Sequence, residues 1–247
     1  MYDLSTRKRA LALVAQGRSL NSVSRETGIS RAALRSWHQR LEPLPREAPA
    51  APGPPADGPA YGYLLGLYLG DGCISAHPRG GYYLRIACAD AWPGLIEQCR
   101  QAIAKVRPGV GVYLAKKEGY VMVTSYYRSW PALFPQHGKG KKHERLITLE
   151  SWQQDLVDAH PWEFIRGLIH SDGCRITNWT TRLVGGEQKR YEYPRYFFTN
   201  LSADIIRLFT TALAQVGVEW KMANARNVSV ARKASVALMD AHVGPKY

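Results

Sequence analysis

The sequence predicts an α+β fold, two αββαββα halves related by a pseudo-two-fold axis, preceded by a small all-helical unit. Three observations carry this. An apolar, helix-like phrase ending in a small residue, Asp, Gly and Cys occurs twice, as "YLLGLYLGDGCIS" (63–75) and "FIRGLIHSDGCRI" (164–176). Each copy is followed by strand-like, helix-like and strand-like runs in the same order, the mark of an internal repeat. Ahead of both lies "EPLPREAPAAPGPPADGPA" (42–60), with 7 of the 15 prolines and almost nothing large and apolar, so it reads as an extended linker. The expected boundaries are 1–41 for the helical unit, 42–60 for the linker, and 61–145 and 146–247 for the halves.

The helical unit comes first. Leu11 and Val14 recur at helical spacing. In "SLNSVSRETGIS", Ser19 is placed to cap a second helix with Leu20 and Val23 on its inner face, and Gly28 closes the turn. "SRAALRSWHQR" follows, with Ser30 as cap and Leu34 and Trp37 inward. Two short helices around a Gly-containing turn, the second rich in Arg, make a helix-turn-helix pattern similar to the DNA-binding domains of transposases and recombinases. Residues 1–47 carry nine Lys/Arg against four Asp/Glu. The side chains expected in the major groove are Ser30, Arg31, Arg35 and Gln39.

In the body, the first motif helix leads to the strands "YYLRIACAD" and "GYVMVTSYY", with the amphipathic helix "WPGLIEQCRQAIAKV" between them. The second leads to "RYFFTNLS", "ADIIRLFTTALAQV" and "NVSVARKAS". The inner faces of the two amphipathic helices match: Leu95, Ile96, Cys99, Ile103 and Val106 against Ile205, Ile206, Phe209, Leu213 and Val216.

Within the motifs, Gly66-xxx-Gly70 and Gly167-xxx-Ser171 each set two small residues one turn apart, which lets two helix backbones approach closely. Packed along these faces, the helices bring Asp71 and Asp172 together at their C-terminal ends, where Gly72 and Gly173 turn the chain into a strand. An acid at a helix C-terminus opposes the macrodipole, by about 0.3–1 kcal/mol, and two such acids repel. Divalent cations would remove the objection, because Mg²⁺ takes carboxylate and phosphate oxygens together. The expectation is a shared metal site for phosphodiester chemistry.

"LLGLYLGDG" (64–72) and "IRGLIHSDG" (165–173), at matching places in a repeat, resemble the two signature helices of monomeric LAGLIDADG homing endonucleases, and the resemblance spans about residues 60–247. It implies motif helices paired between the halves, two antiparallel sheets over DNA, and metal-dependent cleavage of double-stranded DNA at a long asymmetric site. Asp71 and Asp172 are then the catalytic metal ligands, with main-chain oxygen from Gly70 and Ser171. The motif's earlier acidic position is Leu69 in one copy and His170 in the other, and this histidine reads as structural. The family also sets a basic residue near the end of each half's last strand. "VARKAS" offers Lys233, with Arg232 beside it. Aligning Ser235 with Ser129 and Gly244 with Gly138 puts Tyr127 opposite Lys233, so the first half lacks its lysine unless Arg128 or a lysine of 139–142 substitutes.

A formal charge of +13 calls for a polyanionic partner. A β-hairpin turning at Gly185-Gly186 distributes Arg175, Arg182, Lys189, Arg190 and Arg195, and a counterpart turning at Gly80-Gly81 offers Arg79 and Arg85. "HGKGKKHER" (137–145), the densest basic run, presents Lys139, Lys141 and Lys142 to phosphates. No apolar run is long enough to span a bilayer, the N-terminus lacks a signal-peptide core, and four cysteines form no CxxC pair. The expectation is a free-standing, cytoplasmic monomer that binds and cuts double-stranded DNA. Two alternatives stay open, a DNA-binding transcriptional regulator on the same scaffold and an RNA-binding maturase.

Overall fold

The computed structural model describes residues 2–42, 53–78 and 80–247, in two compact units, Met1–Ala50 and Ala51–Tyr247. The first unit is three helices, α1 (Leu4–Ala15), α2 (Leu20–Thr27) and α3 (Arg31–Gln39). Asp3, Ser19 and Ser30 each accept a backbone N–H from the following first turn. Gly28, at φ +69°, ends α2 in a left-handed turn no β-carbon would favour. Ala10, Val23, Ile29, Leu34 and Trp37 form this unit's own core.

Most of the stretch read as a linker lies outside the described residues. Its last residues do not stay extended: Asp57 caps α4 (Gly58–Asp71) by accepting from the Ala60 N–H, so the first motif helix begins inside 42–60. After α4 come β1 (Gly72–Ala76), β2 (Tyr82–Ala89), α5 (Pro93–Val106), β3 (Val112–Lys117), β4 (Tyr120–Tyr127) and the short α6 (Trp130–Leu133). A helix not anticipated from sequence, α7 (Ser151–Ala159), precedes the second motif helix α8 (Pro161–Asp172). Then follow β5 (Gly173–Val184), β6 (Glu187–Thr199), α9 (Ala203–Gln215), β7 (Lys221–Asn224), β8 (Asn227–Val230) and α10 (Lys233–His242). The run read as one strand, "NVSVARKAS", therefore divides between β8 and α10.

Both sheets are antiparallel and have the same order, β1-β2-β4-β3 and β5-β6-β8-β7, as two copies of one topology require. Each buries one face. Leu84, Ile86, Cys88 and Val123 turn inward from the first sheet, and Tyr196, Phe198, Val228 and Val230 from the second. The alternate residues, Arg85 and Arg195 among them, line the opposite, open face of each sheet.

Between the halves lie α4 and α8. From Tyr61 to Leu69, α4 is buried all round. A β-carbon on Gly66 would lie 2.6 Å from the Phe164 carbonyl oxygen, and one on Gly167 would overlap the Tyr63 carbonyl oxygen. The helices meet backbone to backbone, as the small-residue spacing predicts.

Candidate functional site

The close approach of α4 and α8 decides where their last residues go. A β-carbon on Gly70 would collide with the Ser171 hydroxyl and stand 3.1 Å from Asp172 Oδ2. The two helix tips are therefore adjacent. Asp71 and Asp172 end these helices where the two sheets begin, close enough for the charge of Asp172 to act on Asp71, and each is followed by a cysteine on the open face, Cys73 and Cys174.

Lys142 is not a surface phosphate contact. It reaches under the first tip, and its Nζ donates to the carbonyl oxygens of Tyr68, which also accepts the Gly72 N–H, and of Leu69 (2.9 Å) and Gly70 (2.8 Å) in the last turn of the helix. Lys246 does the same at the second tip, 3.3 Å from the Ser171 oxygen. The main-chain oxygens assigned to a metal, on Gly70 and Ser171, are thus held by ammonium groups. Asn200 Nδ2 donates to Asp172 Oδ2 at 2.6 Å and orients that carboxylate.

Electrostatics follow from this crowding. Burial, and then the neighbouring Asp172, push the Asp71 carboxyl up to about 6, against the pull of Lys142 and Lys246. Burial raises Asp172 too, opposed by the Asn200 hydrogen bond and both lysines. Burial brings Lys142 down to about 8, against the attraction of both aspartates, and lowers Lys246 in the same way. A 360 Å³ cavity opens beside Asp172, lined by Gly70, Lys142, Thr199 and Asn200. A smaller one of 60 Å³ lies at Asp71, Lys246, Ser171 and His170. Each aspartate shares a cavity with the lysine from the opposite half.

Lys233 is not in this site. It is the exposed first residue of α10, and neither cavity includes it. The helix intervenes, so the lysine that arrives lies beyond it, after the left-handed Gly244 at φ +71°. In the first half it is a lysine of 139–142, Lys142, that reaches the corresponding place at the helix tip. Lys142 and Lys246 each fall just over seventy residues past the aspartate of their own half, but aligning Gly138 with Gly244 sets Lys246 against Gly140 and hides the match by two residues. Asn200 carried no sequence signal, because it has no motif and acts through tertiary contact. His170 Nδ1 lies 3.0 Å from the Tyr63 hydroxyl, and burial takes it down to about 4. Its ring is buried and held in the neutral form, and it lines the small cavity at Asp71.

The predicted basic surface divides. On the second sheet's open face lie Arg182, Lys189 and Arg195, the last with its guanidinium 5.4 Å from the ring centres of both Tyr193 and Phe197. Arg85 lies on the open face of the first sheet, beside the Ser75 hydroxyl and 4.6 Å from the Tyr83 ring. Three others face elsewhere. Arg175 is on the helix side, bidentate to Asp240 at 2.6 and 2.9 Å. Arg190 lies 4.9 Å from the Trp179 ring and pairs with Glu192 at 2.7 Å. Arg232 pairs with Glu219. Period-two alternation assigns alternate positions to opposite faces, so evenly spaced arginines cannot all serve one surface.

In the basic connector, Lys139 is exposed and Lys141 lies 3.6 Å from Glu144. On α3, Arg31, Arg35 and Gln39 are exposed, whereas the Ser30 hydroxyl is taken by its cap bond to the Ala33 N–H at 3.2 Å. Arg79 lies outside the described residues.

No protein-family model matches the sequence, and no curated protein matches it. Solved structures are similar in fold. Mesophilic variants of the homing endonuclease I-DmoI share 13% identity at a TM-score of 0.50, over 75% of this chain and 96% of theirs. I-DmoI in complex with DNA and Mn has 12% identity and a TM-score of 0.48, over 77% and 98% of the two chains. The N-terminal LAGLIDADG domain of DUF199/WhiA has 12% identity and a TM-score of 0.45, over 77% and 83%. With two equivalent motif helices and two four-stranded antiparallel sheets of the same order, the body of this chain has the homing-endonuclease fold.

Proposed function

We propose that this chain is a site-specific endonuclease of double-stranded DNA that depends on a divalent cation and acts as a monomer. One observation carries the reading. Two carboxylates from two halves meet at the floor between two open sheet faces that bear Arg85, Arg182, Lys189 and Arg195.

The donors at the tips suit a hard cation such as Mg²⁺: two carboxylates and two main-chain oxygens, with no group of three or more His, Cys, Asp or Glu among the described residues. Asp71 and Asp172 would hold the ion, with the Gly70 and Ser171 oxygens reachable once Lys142 and Lys246 turn aside. When bound, such a cation supplies an activated water and neutralises charge on the phosphodiester oxygens.

The chain's own groups do the rest. Lys142 and Lys246 present N–H donors beside the acids, where a phosphate gathers negative charge during hydrolysis. With Lys142 held at about 8, it stays mainly cationic at neutral pH yet exchanges its proton more readily than a free lysine. Asn200 keeps one oxygen of Asp172 occupied and its orientation fixed. The N-terminal helices, with Arg31, Arg35 and Gln39 outward, add a second duplex contact through the intervening segment.

A non-cleaving DNA-binding regulator is the second reading, and one observation favours it. The two lysines balance the two acids, so the pair is tolerable without the cation that the sequence alone seemed to demand. One experiment separates the two. The chain is incubated with a randomised duplex library, in Mg²⁺ or EDTA, and both bound and cut molecules are sequenced. Endonuclease activity predicts new ends at a fixed place in Mg²⁺, absent in EDTA and in Asp71→Asn or Asp172→Asn, with binding kept. Enrichment without new ends in the unaltered chain would establish the regulator instead.

A further inference from the structure

The cavities at Asp71 and Asp172 are built from equivalent positions but not from equivalent side chains. Gly72 pairs with Ile86 and Gly173 with Phe198, so Cys88 and Asn200, two residues further on, hold the same place in the two sheets. Leu69 and His170 are matched as well, each two residues before the aspartate of its own helix. The Asp172 cavity is lined by Asn200 and Leu69, and the Asp71 cavity by Cys88 and His170. Each acid therefore has one polar nitrogen side chain beside it, but on opposite walls.

At Asp172 that side chain is Asn200, bonded directly to Oδ2. In the same place at Asp71, Cys88 offers only a thiol, which is a weak donor and is engaged with the thiol of Cys99 in the core. Asp71 receives no side-chain hydrogen bond among the described residues. His170 has the opposite shortage. It is only 4% exposed, and its Nδ1 meets the Tyr63 hydroxyl. The Arg166 guanidinium lies 4.5 Å from the Tyr63 ring centre and acts on the hydroxyl oxygen as a donor. The hydroxyl proton then goes to Nδ1, and the neutral ring carries its own proton on Nε2. That nitrogen is sealed from solvent and has no partner among the described residues; the Val243 main chain is near the ring but not bonded to it. A buried donor left unpaired is costly. The polar space that this ring lines also holds Asp71, Ser171 and Lys246, and at 60 Å³ it has room for a water.

We propose that His170 is the positioning residue for Asp71: its Nε2–H donates to a water in this cavity, and the water donates to the Asp71 carboxylate. The water-mediated bond does for Asp71 what Asn200 does directly for Asp172, and a bridging water is nearly as good as a direct contact. The inference rests on the cation-binding part of the function proposed above and adds the group that fixes the first acid. It also gives a reason for histidine at a motif position where the other copy carries Leu69.

The test uses the full chain, with Mg²⁺ affinity measured by titration calorimetry and the imidazole tautomer read by nitrogen NMR. Affinity should fall about tenfold to a hundredfold in His170→Leu, the loss usual when a partner that orients a metal ligand is removed. His170→Gln, whose amide can reach the same water, should recover most of it. So should His170→Leu/Cys88→Asn, which copies the Asp172 arrangement into the Asp71 cavity. A packing role for His170 predicts neither recovery. The unaltered chain should show His170 protonated at Nε2. With Mg²⁺ uptake intact, unchanged affinity in His170→Leu overturns the positioning role alone, as does a loss that both replacements leave in place, or a proton found on Nδ1. If His170→Leu does not fold by circular dichroism, Tyr63→Phe decides: it frees Nδ1 to take the proton and should lower affinity, and unchanged affinity there overturns the role. An unaltered chain that takes up no Mg²⁺ overturns the cation-dependent reading and the positioning role together.

Discussion

Asp71 illustrates how a single side chain stores the tension of the site. Its folded value of about 6 lies above the ordinary carboxylate value, so the folded state holds the proton longer than the unfolded chain. The stability this contributes is present at low pH and lost as pH rises from about 4 to about 6. In EDTA, the difference in thermal midpoint between Asp71→Asn and the unaltered chain should therefore grow over that window and favour the variant at neutral pH. Mg²⁺ should raise the midpoint of the unaltered chain and leave Asp71→Asn nearly unmoved, with differential scanning calorimetry as the readout. Lys142 belongs to the same balance. Lys142→Met removes the donor shared by three carbonyls and should cost about 1–3 kcal/mol in urea denaturation. If its midpoint is unchanged, the cap contributes nothing. Both aspartates were legible as residues, because two matching motifs expose them. Their partners Lys246 and Asn200 were not, since nothing local marks a side chain that meets its target only after folding.

Among the elements, α4 and α8 show that glycine here serves approach rather than conformation. Gly167→Ala would drive its methyl into the Tyr63 carbonyl and force the helices apart, at a cost of about 3 kcal/mol or more. Gly62→Ala, whose nearest contact is the His160 carbonyl at 3.5 Å, should be neutral or stabilising by up to about 1 kcal/mol. Urea midpoints for the two variants should differ in sign or nearly so; equal losses would mean the helices do not touch as described. A second element effect concerns the segment after α10. The Tyr247 carbonyl oxygen accepts from the Leu95 N–H at 3.1 Å, its hydroxyl accepts from Gln98 at 2.8 Å, and its ring covers Gly94. This ties Lys246 to the first half. Gly94→Ala would displace the ring without disturbing α5, and should reduce cleavage to the level of Lys246→Met. Full activity in Gly94→Ala would show that Lys246 needs no such anchor.

At the scale of the molecule, an excess of positive charge and two units with separate cores argue for a long, salt-sensitive contact with a polyanion. A chain starting at Gly53 should keep its circular dichroism and its binding to the duplex core. It should lose affinity for longer duplexes by about a hundredfold, the scale on which linked modules add avidity. Equal affinity of the short and full chains for every duplex would remove the N-terminal helices from the interface.

The sequence by itself determined the repeat, the α+β class, the paired acids and the basic character, because periodicity, small-residue spacing and composition are local properties that survive in one dimension. Only the tertiary structure decided which cations sit beside those acids, which arginines face the open surface and which are spent on Asp240, Glu192 or Glu219, and how far each sheet reaches. Those outcomes depend on register and on contacts between segments distant in the chain. A shift of one residue in pairing exchanges the faces of a strand, and two extra residues in a loop hide a matching lysine.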